Sequence, residues 1–249
     1  MKKIIFLTLM PLLLFAENPH EVKNEEKLDL SLGLASFYKE SIYKQNSNRV
    51  VVFPSVDLDY YGLYIKGTQL GYNFKLSRGL YISPTLTYRF DGYDNDGSYM
   101  DGMERRKDSV YGGARVSYTY KGHTVYSSYS QDVAGVNDGG YGTIGYRYFK
   151  LFYPFALSPS ISYQYSSKNY SNYYYGVKSK EALPQRPEYN PGATSSASAS
   201  LLGIYHVSKK AYLFGLLSYE LQESAIKSSP IVDKRDAYGV GLGFAYKIY

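Results

Sequence analysis

The stretch Asp236–Tyr249 alternates without a break between large apolar and very small side chains. Tyr238, Val240, Leu242, Phe244, Tyr246 and Ile248 fall on one face of a strand. Ala237, Gly239, Gly241, Gly243, Ala245 and Lys247 fall on the other, because successive side chains in a strand point to opposite sides. A soluble sheet hides its greasy face in a core, whereas a membrane barrel turns it to lipid. A long aromatic strand at the C-terminus suits the second arrangement. Tyr238 to Ile248 then face lipid and Ala237 to Lys247 the lumen, with Tyr249 on the lumen-side phase.

The same period-two pattern recurs along the chain, and helical periodicity is almost absent. Leu28, Leu30, Leu32 and Leu34 oppose Asp29, Ser31, Gly33 and Ala35. Leu80, Ile82, Leu86, Tyr88 and Phe90 oppose Ser83, Thr85, Thr87 and Arg89. The pattern predicts an all-β transmembrane antiparallel barrel with strands near 28–39, 49–58, 60–66, 68–76, 80–90, 109–121, 123–132, 139–149, 153–166, 196–207, 211–222 and 236–249. That is about twelve strands, an even number as bacterial barrels require. If the third and fourth form only a small hairpin, the number is ten.

Loop lengths test this reading independently. Residues 40–48, 91–108, 133–138, 167–195 and 223–235 are long, while 77–79, Gly122, 150–152 and 208–210 are short. Counted from a periplasmic N-terminus, every long connection falls outside and every short one inside, apart from the tight turn at Gly67. Short periplasmic turns and longer outer loops mark outer-membrane barrels, and a secreted β-sandwich has no reason to segregate its loops this way.

The N-terminus agrees. Met1-Lys2-Lys3 precedes an apolar run from Ile4 to Phe15, then small Ala16 and polar Glu17, as in a signal peptide. The run is too short to cross a bilayer as a helix. The organisation expected is a signal peptide at 1–16, a polar periplasmic tail at 17–27 and a barrel at 28–249, exported to the outer membrane of a Gram-negative cell. Cys is absent, so stability rests on strand pairing rather than disulfides, and thiol chemistry is excluded. Tyr occurs 32 times and Trp never; an amphipathic ring suits the headgroup level of a membrane. The net charge of +6 drops once Lys2 and Lys3 leave with the signal, too mild to imply nucleic acid.

Candidate chemistry is sparse. His20 lies in the expected tail, and His123 and His206 near periplasmic turns, without the nucleophile, base and orienting group in mutual reach that a histidine-based site needs. Asp91–Asp101 is acidic and rich in glycine, but its spacing fails the calcium-loop pattern; the neighbouring Glu104–Asp108 run is expected to pair with it. No catalytic residue, metal or cofactor is assigned. The inner face carries Lys75, Arg89, Arg115, Arg147 and Lys247, with Asp57 and Glu220 as partners. That set reads either as interior ion pairs plugging a narrow barrel or as a basic lumen favouring anions. The loop 167–195 holds Tyr173, Tyr174 and Tyr175 and three prolines, Pro184, Pro187 and Pro191. It is stiffened accordingly and is able to fold over or into the mouth.

Several segments resemble the MipA/OmpV family. Tyr174, Tyr175, Gly176 and Val177, then Glu181 and Ala182, then Tyr189, Pro191 and Gly192, follow its YYGV…EA…Y-x-PGA signature. Ser229, Pro230, Ile231 and Val232 match its SPIV segment, running on to a similar closing strand. Asp108–Ala114 and Gly67–Tyr72 fit more loosely. The resemblance implies a non-enzymatic outer-membrane barrel that contacts lipid and interacts with a murein lytic transglycosylase. It further implies a scaffold linking that hydrolase to a murein synthase. The alternative from the residues themselves is a narrow channel for small anionic solutes.

Overall fold

The computed structural model describes residues 28–95 and 97–249. The expected signal peptide, its cleavage point, the tail and His20 lie outside them. The described chain forms a closed antiparallel barrel of twelve strands. We label them β1 (Asp29–Lys39), β2 (Arg49–Tyr60), β3 (Leu63–Lys66), β4 (Gln69–Tyr72, continued by Phe74–Ser77), β5 (Leu80–Arg89) and β6 (Ser109–Tyr120). The circuit continues with β7 (His123–Asp132), β8 (Gly140–Tyr148, continued by Lys150–Phe152), β9 (Phe155–Ser166), β10 (Thr194–His206), β11 (Ala211–Gln222) and β12 (Asp236–Lys247). It closes where β12 pairs with β1, Leu32 opposite Tyr246 and Tyr38 opposite Val240.

Burial follows residue parity around the wall. In β5, Tyr81, Ser83, Thr85, Thr87 and Arg89 are buried inside, while Ile82, Leu86 and Tyr88 are exposed outside. In β12, Tyr238, Val240, Leu242, Phe244 and Tyr246 are exposed. An apolar outer band of this kind is stable only against lipid. Phe90 departs from its expected lipid-facing place. The strand ends at Arg89, and Phe90 meets Tyr88 edge-on at 4.6 Å while packing against the apolar cluster of the lumen.

The third and fourth strands are short but are wall strands. β3 pairs with β2 over Asp57–Tyr60, and β4 pairs with β5 through Gln69, Leu70 and Gly71. Twelve rather than ten strands results. Towards the outer rim β2 outruns this hairpin, so Val50 to Ser55 pair with β1 alone; Pro54 fits there because it has no N–H to leave unpaired. On the periplasmic side, two-residue turns at Tyr61-Gly62 (φ 53° and 89°) and Lys121-Gly122 (φ 48° and 85°) carry the backbone through the left-handed region. Such turns match the twist of the strands they join.

The lumen is filled unevenly. On one side Ala35, Phe37, Val51, Leu202, Phe214, Leu216 and Ala245 form a buried apolar cluster. The bare face of β12 makes room for it. A Cβ on Gly239 or Gly241 would collide with the Phe37 ring, and one on Gly243 with the Phe214 ring. The small residues of the closing strand are therefore the floor on which two neighbouring aromatic rings lie. Burying a phenylalanine is worth about 1.5–3 kcal/mol. The opposite side, from β5 to β10, is lined by serine, threonine, tyrosine and arginine.

Candidate functional site

Loops fold into the mouth and pack against its inner wall. Helix α1 (Lys168–Tyr175) starts at Ser167, whose hydroxyl accepts from the Tyr170 N–H, a common N-terminal cap. Tyr170 and Tyr174 are four residues apart and share a helix face. Both are almost fully buried, against Tyr111 and Tyr141 from the inner faces of β6 and β8. The Tyr170 hydroxyl accepts from Arg89 Nη2 at 3.0 Å and donates to Asp91 Oδ2 at 2.8 Å. Arg89 also donates to Asp91 at 2.5 Å and to Gln164 at 3.0 Å, and lies 4.2 Å from the centre of the Tyr141 ring. Arg89 is thus a pin holding the helix in the mouth.

A second layer lies outside the first. Arg106 is fully buried and forks onto Glu181, with Nη1 to Oε1 at 2.8 Å and Nη2 to Oε2 at 2.7 Å. Its Nε donates to the Tyr173 carbonyl at 2.7 Å. Glu181 also accepts the N–H groups of Glu104 and Lys178 at 2.9 and 3.1 Å. Burial alone would raise the Glu181 carboxyl, but the Arg106 guanidinium and those N–H groups outweigh it and hold the carboxyl below its ordinary value. Arg186 donates to the carbonyls of Tyr99, Asp101 and Glu181. Around these charges Ile42, Met100, Met103, Val177, Ile226, Ile231 and Val232 form a separate apolar core drawn from four loops. At its exposed edge Lys178 and Lys180 grip Glu104 and hold its carboxyl at about 2.

This places the signature residues. Tyr174, Gly176, Val177, Glu181, Ser229, Ile231 and Val232 are buried in the cap, and Tyr175, Ala182, Tyr189, Pro191, Gly192 and Pro230 are partly covered. Val177 and Tyr189 exchange backbone hydrogen bonds at 2.9 and 3.0 Å. Ser229 donates to the Tyr175 carbonyl at 2.6 Å, and Tyr189 to that of Ala225 at 2.7 Å. The motifs join the loops to one another. Arg106 and Arg186 were not singled out from the sequence; no local pattern separates Arg106 from Arg105, which pairs with Asp94 at 2.7 Å.

The lumen candidates lie at different depths. Glu220 pairs with Lys39 at 3.5 Å, Asp57 with Lys66, and Lys247 with Asp29 near the periplasmic end. Lys75 is exposed at that end. Arg115 is buried in the lumen, and so is Arg147, which lies opposite Thr124 near the Lys121-Gly122 turn. Arg147 and Tyr126 line a cavity of about 40 Å³ with Ser158, Ser160, Ser162, Ser198, Ser200, Leu202 and Leu216. His123 contacts the Tyr146 hydroxyl at 2.6 Å on the outer face, and His206 stacks with Tyr153. Neither is hydrogen-bonded to a serine by these contacts.

The family model "MltA-interacting protein MipA" matches residues 32–248. The outer membrane protein OmpV of Vibrio cholerae serotype O1 is 34% identical over 162 residues, 62% of this chain and 60% of that protein. The MltA-interacting protein of Escherichia coli strain K12 is 25% identical over 224 residues, 87% of this chain and 89% of that one. Among solved structures, the NanC porin superposes with a TM-score of 0.43 at 12% identity, covering 89% of this chain and 100% of that one.

Proposed function

We propose, from the premise that this chain belongs to the MltA-interacting protein MipA family, that it is a closed, non-conducting barrel. In this reading it anchors murein-remodelling enzymes at the inner surface of the outer membrane. The observation that carries the reading is closure at two levels. The cap packs into the mouth around Arg89, Arg106 and Glu181, and Phe37 and Phe214 fill one side of the lumen beneath it. A barrel closed in this way acts through its surfaces.

The periplasmic surface has a chemistry of its own. Its turns carry Arg78, Lys121, Lys150, Lys209 and Lys210, all exposed, and no acidic side chain between residues 207 and 210 or at 61–62, 78–79 and 121–122. Most acidic residues lie in the outer loops instead, apart from Asp29, Asp57 and Asp59 at strand ends on this side and the glutamates of the expected tail. A basic rim suits an acidic face on a periplasmic enzyme, and such complementarity mainly governs encounter and register. The name of the Escherichia coli relative supports a lytic transglycosylase as that enzyme, with a murein synthase as the second member of the assembly.

The test has two arms. Full-length protein in a planar bilayer should give no conductance steps, whereas a small-anion channel would give anion-selective ones. Immobilised protein should retain a murein lytic transglycosylase from envelope extracts, and K121E/K150E/K209E/K210E should retain much less. Recovery of neither hydrolase nor synthase on the unaltered protein would remove the scaffold reading.

A further inference from the structure

Arg115 sits on the lumen face of β6, 7% exposed, with Ser83 of β5 and Ser128 of β7 as its register neighbours. Its guanidinium carbon is 4.1 Å from the centre of the Tyr126 ring, a stacking that holds the plane of the group in place. Nε and Nη2 are buried, and neither has a hydrogen-bond partner among the described residues. These two nitrogens form the edge of a guanidinium whose N–H bonds run parallel. That edge grips a carboxylate or phosphate through two bonds at once.

A guanidinium cannot shed its proton in a protein, so Arg115 remains a cation in a site where an uncompensated charge is costly. Four acids of the lumen and its two rims are engaged elsewhere. Asp91 is held by Arg89, Glu220 by Lys39, Asp57 by Lys66 and Asp29 by Lys247. The Ser83 hydroxyl is turned to Asn73 at 2.6 Å. Tyr126, on which Arg115 stacks, is also one wall of the serine-lined cavity of about 40 Å³, which Arg147 lines and Arg115 itself does not. That space corresponds to roughly three water positions; in its wall the Ser160 and Ser200 hydroxyls are hydrogen-bonded to each other at 2.7 Å.

We infer that Arg115 anchors a lumen site for a small oxyanion, a carboxylate or a phosphate, bound side-on through Nε–H and Nη2–H. The ligand supplies the partner that Nε and Nη2 lack among the described residues. The site binds an anion inside a closed barrel, and it stands whether or not the barrel is a scaffold.

The experiment uses full-length protein refolded in detergent with inorganic phosphate, with acetate, or with sodium chloride at matched ionic strength. Refolding with the ion present removes slow entry through the cap as a variable. Phosphate or acetate should raise Tm along a saturating curve that chloride does not reproduce, and whichever does so identifies the class. Arg115→Met should abolish the saturating shift. Arg115→Lys, which keeps the charge but loses the two-pronged edge, should weaken the apparent affinity at least tenfold. Radiolabelled phosphate and acetate are counted on the unaltered protein in parallel, so the answer does not hang on variants that fail to fold. One bound oxyanion per barrel is expected. Absence of any saturable binding, or an unchanged shift in Arg115→Met, would overturn the proposal.

Discussion

The capped mouth and the middle of the barrel both bury arginine, in opposite ways. In the cap, Arg106 faces a carboxylate across two short bonds and donates to a carbonyl with its third nitrogen. In the lumen, Arg115 leans on an aromatic ring and leaves its bidentate edge open among the described residues. The first arrangement is internally complete and joins loops far apart in sequence. The second is incomplete without something from outside. A buried charge therefore has two meanings in one molecule, and the partner list distinguishes them.

The sharpest way to test this difference is to break the complete pair. Glu181→Gln leaves Arg106 buried without its counter-charge, and removing one member of such a pair costs about 3–5 kcal/mol. Chemical unfolding in micelles should show a loss of that size, with loops of the cap becoming protease-sensitive first. The double replacement Arg106→Met/Glu181→Leu should recover most of the stability. If Glu181→Gln were neutral, the cap would be held by its apolar core alone.

A second test concerns the plug beneath the cap. Gly243→Leu would force a side chain into the Phe214 ring, and overpacking of this kind costs about 1–3 kcal/mol. Combining it with Phe214→Ala should restore part of the loss, because the leucine then occupies the vacated space. Strict additivity in that double-mutant cycle would show that the ring and the glycine do not share the space.

Acid provides a graded version of the first test. The Glu181 carboxyl titrates below its unfolded value, so its contribution is complete above the ordinary carboxylate range and is lost as pH falls through the folded value. Tm should fall as pH drops below about 4, and Glu181→Gln should flatten that part of the profile. Glu104, about half exposed at the edge of the cap, should change it much less when replaced by Gln, because solvent screens its pairs with Lys178 and Lys180. A wild-type profile as flat as that of Glu181→Gln would contradict the assigned protonation.

Much of the wall was legible in the sequence for one physical reason. Lipid demands an apolar residue at every second position, so β12 and β5 announce both their span and their orientation. Loop parity added the sidedness. The contents of the barrel were less legible, because they depend on which strands become neighbours. Gly239, Gly241 and Gly243 read only as a bare face; their purpose appears once Phe37 of β1 and Phe214 of β11 are placed over them. The short β3–β4 hairpin left ten and twelve strands open, and only its pairing on both sides decides. The signature in loop 167–193 was visible as a pattern, yet nothing local says that Val177 packs with Ile231 or that Arg106 rather than Arg105 turns inwards.

The smallest expected effect is the most diagnostic for the comparison. In buffer free of phosphate and carboxylates, Arg115→Met should change stability by less than about 1 kcal/mol or raise it slightly, because replacing a poorly compensated buried charge with an apolar chain of similar volume is neutral or favourable. Arg106→Met, an identical substitution at a satisfied site, strands Glu181 and should cost several times more. The two variants carry the same change in side-chain volume and charge, so their difference isolates the surroundings. A loss at Arg115 as large as that at Arg106 would mean that the lumen holds its own counter-charge, and the two regions would then be alike.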